Sequence, residues 1–488
     1  MNKKIILLSL VAGLALPAFA AGGETVTDVN NNYDIRAEIE ALKSEIAELK
    51  KNSGTKKLEK KIKSMNKKLN KVKAHDAYDN IKFSVDFRNT YDNLEYTNNK
   101  TGETAKNNSL LTSRLLLNMS SAPTDKLLFK GQLAGYSSWG AHLVEDGTGG
   151  NASFKSWAGS SKASDTILRV RQAYFVYSDK MADGKLPYSF SIGRRQSTDG
   201  FLANHRENLK DGGSPLAHIT NMEVDGIMGK LNTEKYLTTG SFIKFVYGRA
   251  HSGGLESIYG TTPYAQEDGE LNANVDYFVA LGSLYNNGQY NLMFENALIL
   301  DTKGAFAAGT AGATSLGADN KSLDAGKANL TALSLEVDGV GDEINDFLDD
   351  TILFASVAQT KYMPDGGKQL LGSTSDETGH SIWVGATFPD MITEDGRFGL
   401  EYNKGSKYWT PMTWAGDSAM GSKVAVRGDA YEAYWNFNLF GQKYLPSQVR
   451  YTHMQHDYTP NNKCQGWVTP VATDIEADDI RFAVSYKY

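Results

Sequence analysis

The chain has 488 residues, a formal net charge of −6, 47 glycines and one cysteine. One cysteine excludes a disulfide framework and any zinc site built on cysteine pairs. Mean hydropathy is −0.41, and beyond residue 20 no apolar run approaches the roughly 18 residues that a spanning helix needs, which excludes a polytopic helical membrane protein.

Lys3 and Lys4 precede an apolar stretch from Ile5 to Leu16, and Pro17 and Ala18-Phe19-Ala20 follow. A basic start, an apolar centre and a small-x-small end predict a secretory signal over residues 1–20. Residues 21–33 are small and polar and read as a linker. Over 34–73, Ile35, Ile39, Leu42, Ile46 and Leu49 are spaced by alternating fours and threes, and Leu58, Ile62, Met65, Leu69 and Val72 resume the pattern. That is the seam of a coiled coil, with a helix lying on a domain surface as the alternative. From Lys51 to Lys73 ten lysines face one acid, Glu59. The run is either a solvated face or a docking face for an anionic partner such as cell wall.

From Ile81 the period changes to two. Ile81, Phe83, Val85 and Phe87 alternate with Lys82, Ser84, Asp86 and Arg88, and Tyr188, Phe190 and Ile192 alternate with Ser189, Ser191 and Gly193. Sixteen such segments are legible, near 81–91, 109–119, 126–137, 165–178, 186–195, 220–232, 240–250, 272–285, 288–300, 328–339, 350–362, 379–389, 396–404, 424–437, 444–457 and 477–488. Their connections alternate between long and short, as in a membrane barrel with short turns at one rim and long loops at the other. The expectation is an all-β transmembrane antiparallel barrel over 74–488, of about 16 strands (14 to 18), with an N-terminal periplasmic coiled-coil helix. The last strand alternates through Phe482, Val484, Tyr486 and Tyr488 to the final residue. An aromatic terminus of this kind resembles the signal read by the barrel assembly machinery.

Several strings resemble a family of uncharacterised porin-like outer-membrane proteins from epsilon-class proteobacteria, labelled as a domain of unknown function. They are Asp79–Arg88 (DNIKFSVDFR), Gly193–Asn204 (GRRQSTDGFLAN), Ser214–Gly226 (SPLAHITNMEVDG), Gly399–Trp409 (GLEYNKGSKYW) and Gly421–Tyr434 (GSKVAVRGDAYEAY). The likeness covers nearly the whole mature chain. It implies a porin-like barrel in the outer membrane of a Gram-negative bacterium and supplies no substrate. The family pattern has proline after the paired arginines, where this chain has Gln196.

With the apolar set turned outward, Lys82, Arg88, Arg114, Lys130, Arg169 and Arg171 read as a basic lumen wall, joined by Arg450, Arg481 and Lys487 from the last strands. Glu223, Asp225, Asp276, Glu295, Glu336 and Glu401 read as an acidic wall opposite, with Asp86 breaking the rule. Such segregation sets a field across the channel, unless the charges merely pair to satisfy the wall. The third long loop, about 196–219, resembles in position the porin loop that folds inward. That places Arg194, Arg195, Asp199, Arg206 and Glu207 at a constriction, against the alternative of an exposed loop with local ion pairs.

No P-loop, dinucleotide fingerprint, nucleophile elbow or metalloprotease motif is legible. His453 and His456 are three apart, on opposite faces of a strand, and make no metal pair. The reading is therefore a non-enzymatic channel for passive diffusion of small hydrophilic solutes or ions, without a cofactor. It sits in outer-membrane lipid as a homo-oligomer (trimer or dimer), with its helix and C-terminus periplasmic and no nucleic-acid partner. A plugged envelope tether or adhesin and a substrate-specific channel are the alternatives.

Overall fold

The computed structural model describes residues 81–140, 167–181, 184–210, 212–252, 274–310, 323–341, 344–393, 395–414, 416–461 and 468–488. The signal, linker and coiled-coil readings, and Cys464, lie outside the described residues.

Sixteen strands form the wall. They are β1 (Lys82–Asn98), β2 (Glu103–Thr124), β3 (Leu127–Ser138), β4 (Arg169–Met181), β5 (Leu186–Ser197) and β6 (Thr220–Asn232). Next come β7 (Phe242–His251), β8 (Val275–Asn286), β9 (Tyr290–Ile299), β10 (Gly326–Asp338) and β11 (Ile352–Pro364). The last are β12 (Glu377–Pro389), β13 (Arg397–Gly405), β14 (Gly428–Asn438), β15 (Pro446–Tyr458) and β16 (Ala472–Lys487). Each pairs antiparallel with the next, and β16 pairs with β1, so the sheet closes without an edge. At the seam Val85 and Tyr488 exchange both backbone hydrogen bonds, at 2.8 and 2.9 Å. Every segment expected from alternation overlaps one of these strands.

Alternation sets the two faces. On β1 the exposed Phe83, Phe87 and Tyr91 point outward, while Arg88, Thr90 and Asp92 point to the lumen. Phe190 and Ile192 on β5, Ile227 on β6, Phe245 and Tyr247 on β7 and Phe278 on β8 continue the exposed apolar outer face. Rings crowd it near the short turns: Phe398 stacks on Trp435 at 5.7 Å, and Trp435 on Phe437 at 4.3 Å. These paired aromatics match the girdle of a membrane barrel.

Short turns lie at one rim. Asn286, Asn287 and Gly288 join β8 to β9, with Gly288 at φ 98, which glycine adopts freely. The other rim carries the longer connections, with one difference from expectation. Where a long first loop was expected, β1 and β2 run on as a hairpin closed by Asn99–Gly102. Cross-strand pairing continues through Glu95 opposite Lys106, which form an ion pair at 2.6 Å.

Candidate functional site: a loop-filled lumen

Among the described residues, two connections from the long-loop rim fold inward and cross the bore. The 198–219 loop reverses sharply at Asp199 (φ 50) and Leu202 (φ 80). Asn204 holds the reversal by accepting from Leu202 N and donating to Leu209 O. Leu202, Leu216 and Ile219 are wholly buried, packed with the lumen faces of β8 to β12 through residues such as Tyr277, Val279, Ala297, Phe354 and Trp383. His218 sits between the hydroxyls of Ser356 and Ser381, 2.8 Å from each, with the edges of Trp383 and Trp409 against it. Burial pushes its pKa down to about 3, so it stays neutral and serves as a structural peg. Glu295 accepts from Leu216 N and Thr220 Oγ1. His205 contacts Glu336 at 2.6 Å and stacks on Phe354. The carbonyl of Arg206 accepts from Asn436 and Gln448. One loop thus touches β9 to β12 and also β14 and β15, and crosses the bore.

The 406–427 loop crosses beside it. Met412–Thr413 pairs parallel with Thr220–Asn221, and Met412 N donates to Ile219 O at 3.0 Å. Arg427 is fully buried and ties the loop to itself through Trp409 O and Thr410 Oγ1. Arg206 donates to Gly416 O at 2.7 Å, which joins the two loops.

Charges bind this plug to the wall. Asp417 accepts from Arg88 and from Arg114 Nη1, and its carbonyl accepts from Arg481 at 2.8 Å. Glu207 meets Arg88 at 3.3 Å, Arg206 at 3.2 Å and Arg450 at 3.9 Å. Lys423 contacts Glu432 and lies 2.7 Å from Glu401. Arg481 pairs with Asp92, and Arg114 with Asp86. Burial pushes Glu207 up, but Arg206, Arg88 and Arg450 outweigh it and hold the carboxyl at about 2. Arg88 and Arg114 likewise overcome burial and hold Asp417 well below the usual carboxylate range. Asp199 is shifted the other way, upward, by burial and by Glu207.

Space remains on the side of β1 to β4. A cavity of about 530 Å³ is lined there by Arg88, Arg114, Arg171, Arg481, Asp92 and Glu223, among others, with Trp414 and Asp417 closing it from the loop. Two donors in its wall, Arg114 Nε and Trp414 Nε1, are buried without a hydrogen-bond partner.

The residues expected at a constriction divide. Arg206 and Glu207 stand at the centre of the plug, and Asp199 holds the loop, its carbonyl accepting from Gly213 N. Arg195 faces the lumen, donating to Ser191 Oγ with its guanidinium over the Tyr174 ring. Arg194 is corrected: it shares parity with Phe190 and Ile192, lies on the outer face and pairs with Asp225 at 2.8 Å. Asp225 and Asp276 are corrected with it. They follow the outward parity of Ile227 and Phe278, and Asp276 pairs with Arg249 at 2.7 Å. Arg194, Asp225, Arg249 and Asp276 stand in register across β5 to β8, so outside the barrel they form a row.

Lys82, Arg88, Arg114 and Lys130 share the lumen parity of β1 to β3, and Arg169 stands opposite lumen-facing Ala134. Arg171 is turned inward by a bulge between Gln132 and Leu133, and it binds Glu223 at the rim. Glu295, Glu336 and Glu401 face inward beneath the loops. The expected segregation into two walls is corrected, because loop carboxylates Glu207 and Asp417 sit directly on the basic side. The reading from residues missed Asp92, Asp417, His218, Lys423, Arg427 and Glu432. Lys423, Arg427 and Glu432 lie in a string quoted for the family likeness, while Asp417 carried no signal. Among the described residues no group of three His, Cys, Asp or Glu side chains is arranged to hold a metal ion.

A closed sixteen-strand antiparallel barrel with an apolar exterior and two inward loops defines a porin-like class of fold. Residues 104–485 match the family described as protein of unknown function DUF3373, and the chain belongs to that family. The chain is also similar to the anion-selective porin from Comamonas acidovorans, at 13% identity over 84% of this chain and 100% of that one, with a TM-score of 0.47. Pseudomonas putida OprB gives 13% identity, 84% and 94% coverage and 0.46. Salmonella typhi OmpF gives 11%, 83%, 97% and 0.42. No curated protein matches the chain.

Proposed function

We propose that this chain is an outer-membrane channel of narrow bore for small hydrophilic solutes or ions. The single observation that carries the reading is a closed barrel whose outer face is apolar and whose lumen carries a charged chamber on the side of β1 to β4. An apolar exterior belongs in lipid, and a charged interior belongs in water. The outward row of Arg194, Asp225, Arg249 and Asp276 supports an outer-leaflet headgroup boundary at the long-loop rim. In this reading that rim is extracellular, and the N-terminal helix and C-terminus are periplasmic. Phe482, Val484, Tyr486 and Tyr488 serve as the assembly signal, the barrel associates as a dimer or trimer, and the lysine-rich helix engages the cell wall. The chemistry is transport without catalysis, in a Gram-negative envelope of the epsilon-class kind that the quoted strings resemble.

The crossing loops favour a substrate-specific channel over a general pore, because the plug leaves a chamber in place of an open bore. Planar-bilayer recording on the refolded full chain is the test. Small single-channel steps that saturate with solute support this reading. Absence of any conductance transfers the protein to the tether class.

A further inference from the structure

We propose that the chamber binds a small monocarboxylate, which takes the place of the Asp417 carboxylate between Arg88 and Arg114 and thereby frees that side chain of the 406–427 loop. The proposal rests on the channel reading and names its solute class. Arg88 and Arg114 stand directly opposite each other on β1 and β2. Like charges in that position repel, and an anion between them removes the repulsion. In the closed arrangement the loop supplies that anion itself. Asp417 bridges the two guanidiniums at φ 51, a backbone conformation that non-glycine residues adopt at a cost. A free carboxylate offers the arginines the same oxygens without the strained backbone.

Trp414, Ser137 and Ser138 line the chamber beside the two arginines. About 530 Å³ is ample for a solute of a few carbons. Arg481 and Arg171 in the lining are already paired with Asp92 and Glu223, so the guest meets Arg88 and Arg114, whose present partner is a single carboxylate, and a carboxylate is the group that replaces it. The guest competes only with the Asp417 carboxylate, since the loop keeps its other ties: Arg427 on Trp409 and Thr410, Lys423 on Glu401 and Glu432, Arg206 on Gly416 O and Arg481 on Asp417 O.

The test uses lactate as probe, with lactamide as its neutral control and inorganic phosphate as the rival anion, titrated calorimetrically into the detergent-folded full chain. Heat-modifiable gel mobility checks that each variant is folded. Wild type is expected to bind lactate saturably. Asp417→Asn removes the internal competitor and is expected to bind at least about tenfold tighter. Arg114→Gln is expected to bind at least about tenfold weaker, and lactamide not at all. Asp417→Asn binding no tighter than wild type, or phosphate binding tighter than lactate, overturns the proposal. Should Arg114→Gln fail to fold, the comparison of Asp417→Asn with wild type decides alone. In bilayers, lactate is expected to raise wild-type conductance towards that of Asp417→Asn. Lactate binding with this pattern in a barrel that carries no current overturns the channel reading alone. A conducting barrel whose lactate affinity ignores both substitutions overturns the site alone.

Discussion

Glu207 and Arg194 are thirteen positions apart and play opposite parts. Glu207 lies among Arg88, Arg206 and Arg450, so Glu207→Gln leaves buried guanidiniums uncompensated. The expected cost is about 3 to 5 kcal/mol, read as a lower urea midpoint for the folded barrel. Its carboxyl is held at about 2 against an ordinary 4.5, so it adds stability above pH 4.5 that is lost as pH falls towards about 2. Asp417 is shifted in the same direction. The plug is therefore expected to stay shut from pH 8 down to about 5 and to loosen only below about 4. Bilayer conductance against pH measures this, and a transition near neutral pH would count against the carboxylates as the lock. Arg194 is half exposed and pairs with an exposed acid, so Arg194→Ala is expected to cost under about 1 kcal/mol. It is also expected to leave the reversal potential unmoved, whereas a shift would return Arg194 to the ion path.

At the scale of elements, each loop is held by what it inserts. His218 bonds Ser356 and Ser381 in a buried pocket, and His218→Ala removes one hydrogen bond from each hydroxyl, which keep Ser334 and Asn403 as their other partners. The expected loss is about 1 to 3 kcal/mol, with faster proteolysis within 198–219 as the readout. Strands were legible because lipid and lumen impose a period of two on every one of them. The misplaced residues show where that rule needs care. Tyr277, Val279 and Leu281 are apolar yet face inward and are buried under the loop, so turning the apolar set outward puts Asp276 on the wrong face. Asp225 and Arg194 were readable from the parity of Ile227 and Ile192, but their charge was taken as a sign of the lumen. At a barrel rim charge is at home on the outer face as well. Arg171 needed a bulge that no pattern announces. Asp417 belongs to a connection whose partners lie about 300 residues away in sequence, so only the closed fold brings them together.

Across the whole molecule, the seam between β1 and β16 is the joint on which the rest depends. Deleting Tyr488 removes two backbone hydrogen bonds with Val85, each worth about 0.5 to 1.5 kcal/mol. The expected outcome is a smaller heat-modifiable fraction after refolding, with an unchanged fraction counting against a role for the terminal residue in closure. The seam also orders events in time. Asp417 is gripped by Arg88 and Arg114 from the first two strands and by Arg481 from the last. That socket is incomplete until both chain ends have met, so the plug can lock only in a cylinder that has already closed. A chain whose seam has not closed therefore lacks the full grip on Asp417, and its 406–427 loop is expected to be cut by added protease sooner than in the closed barrel.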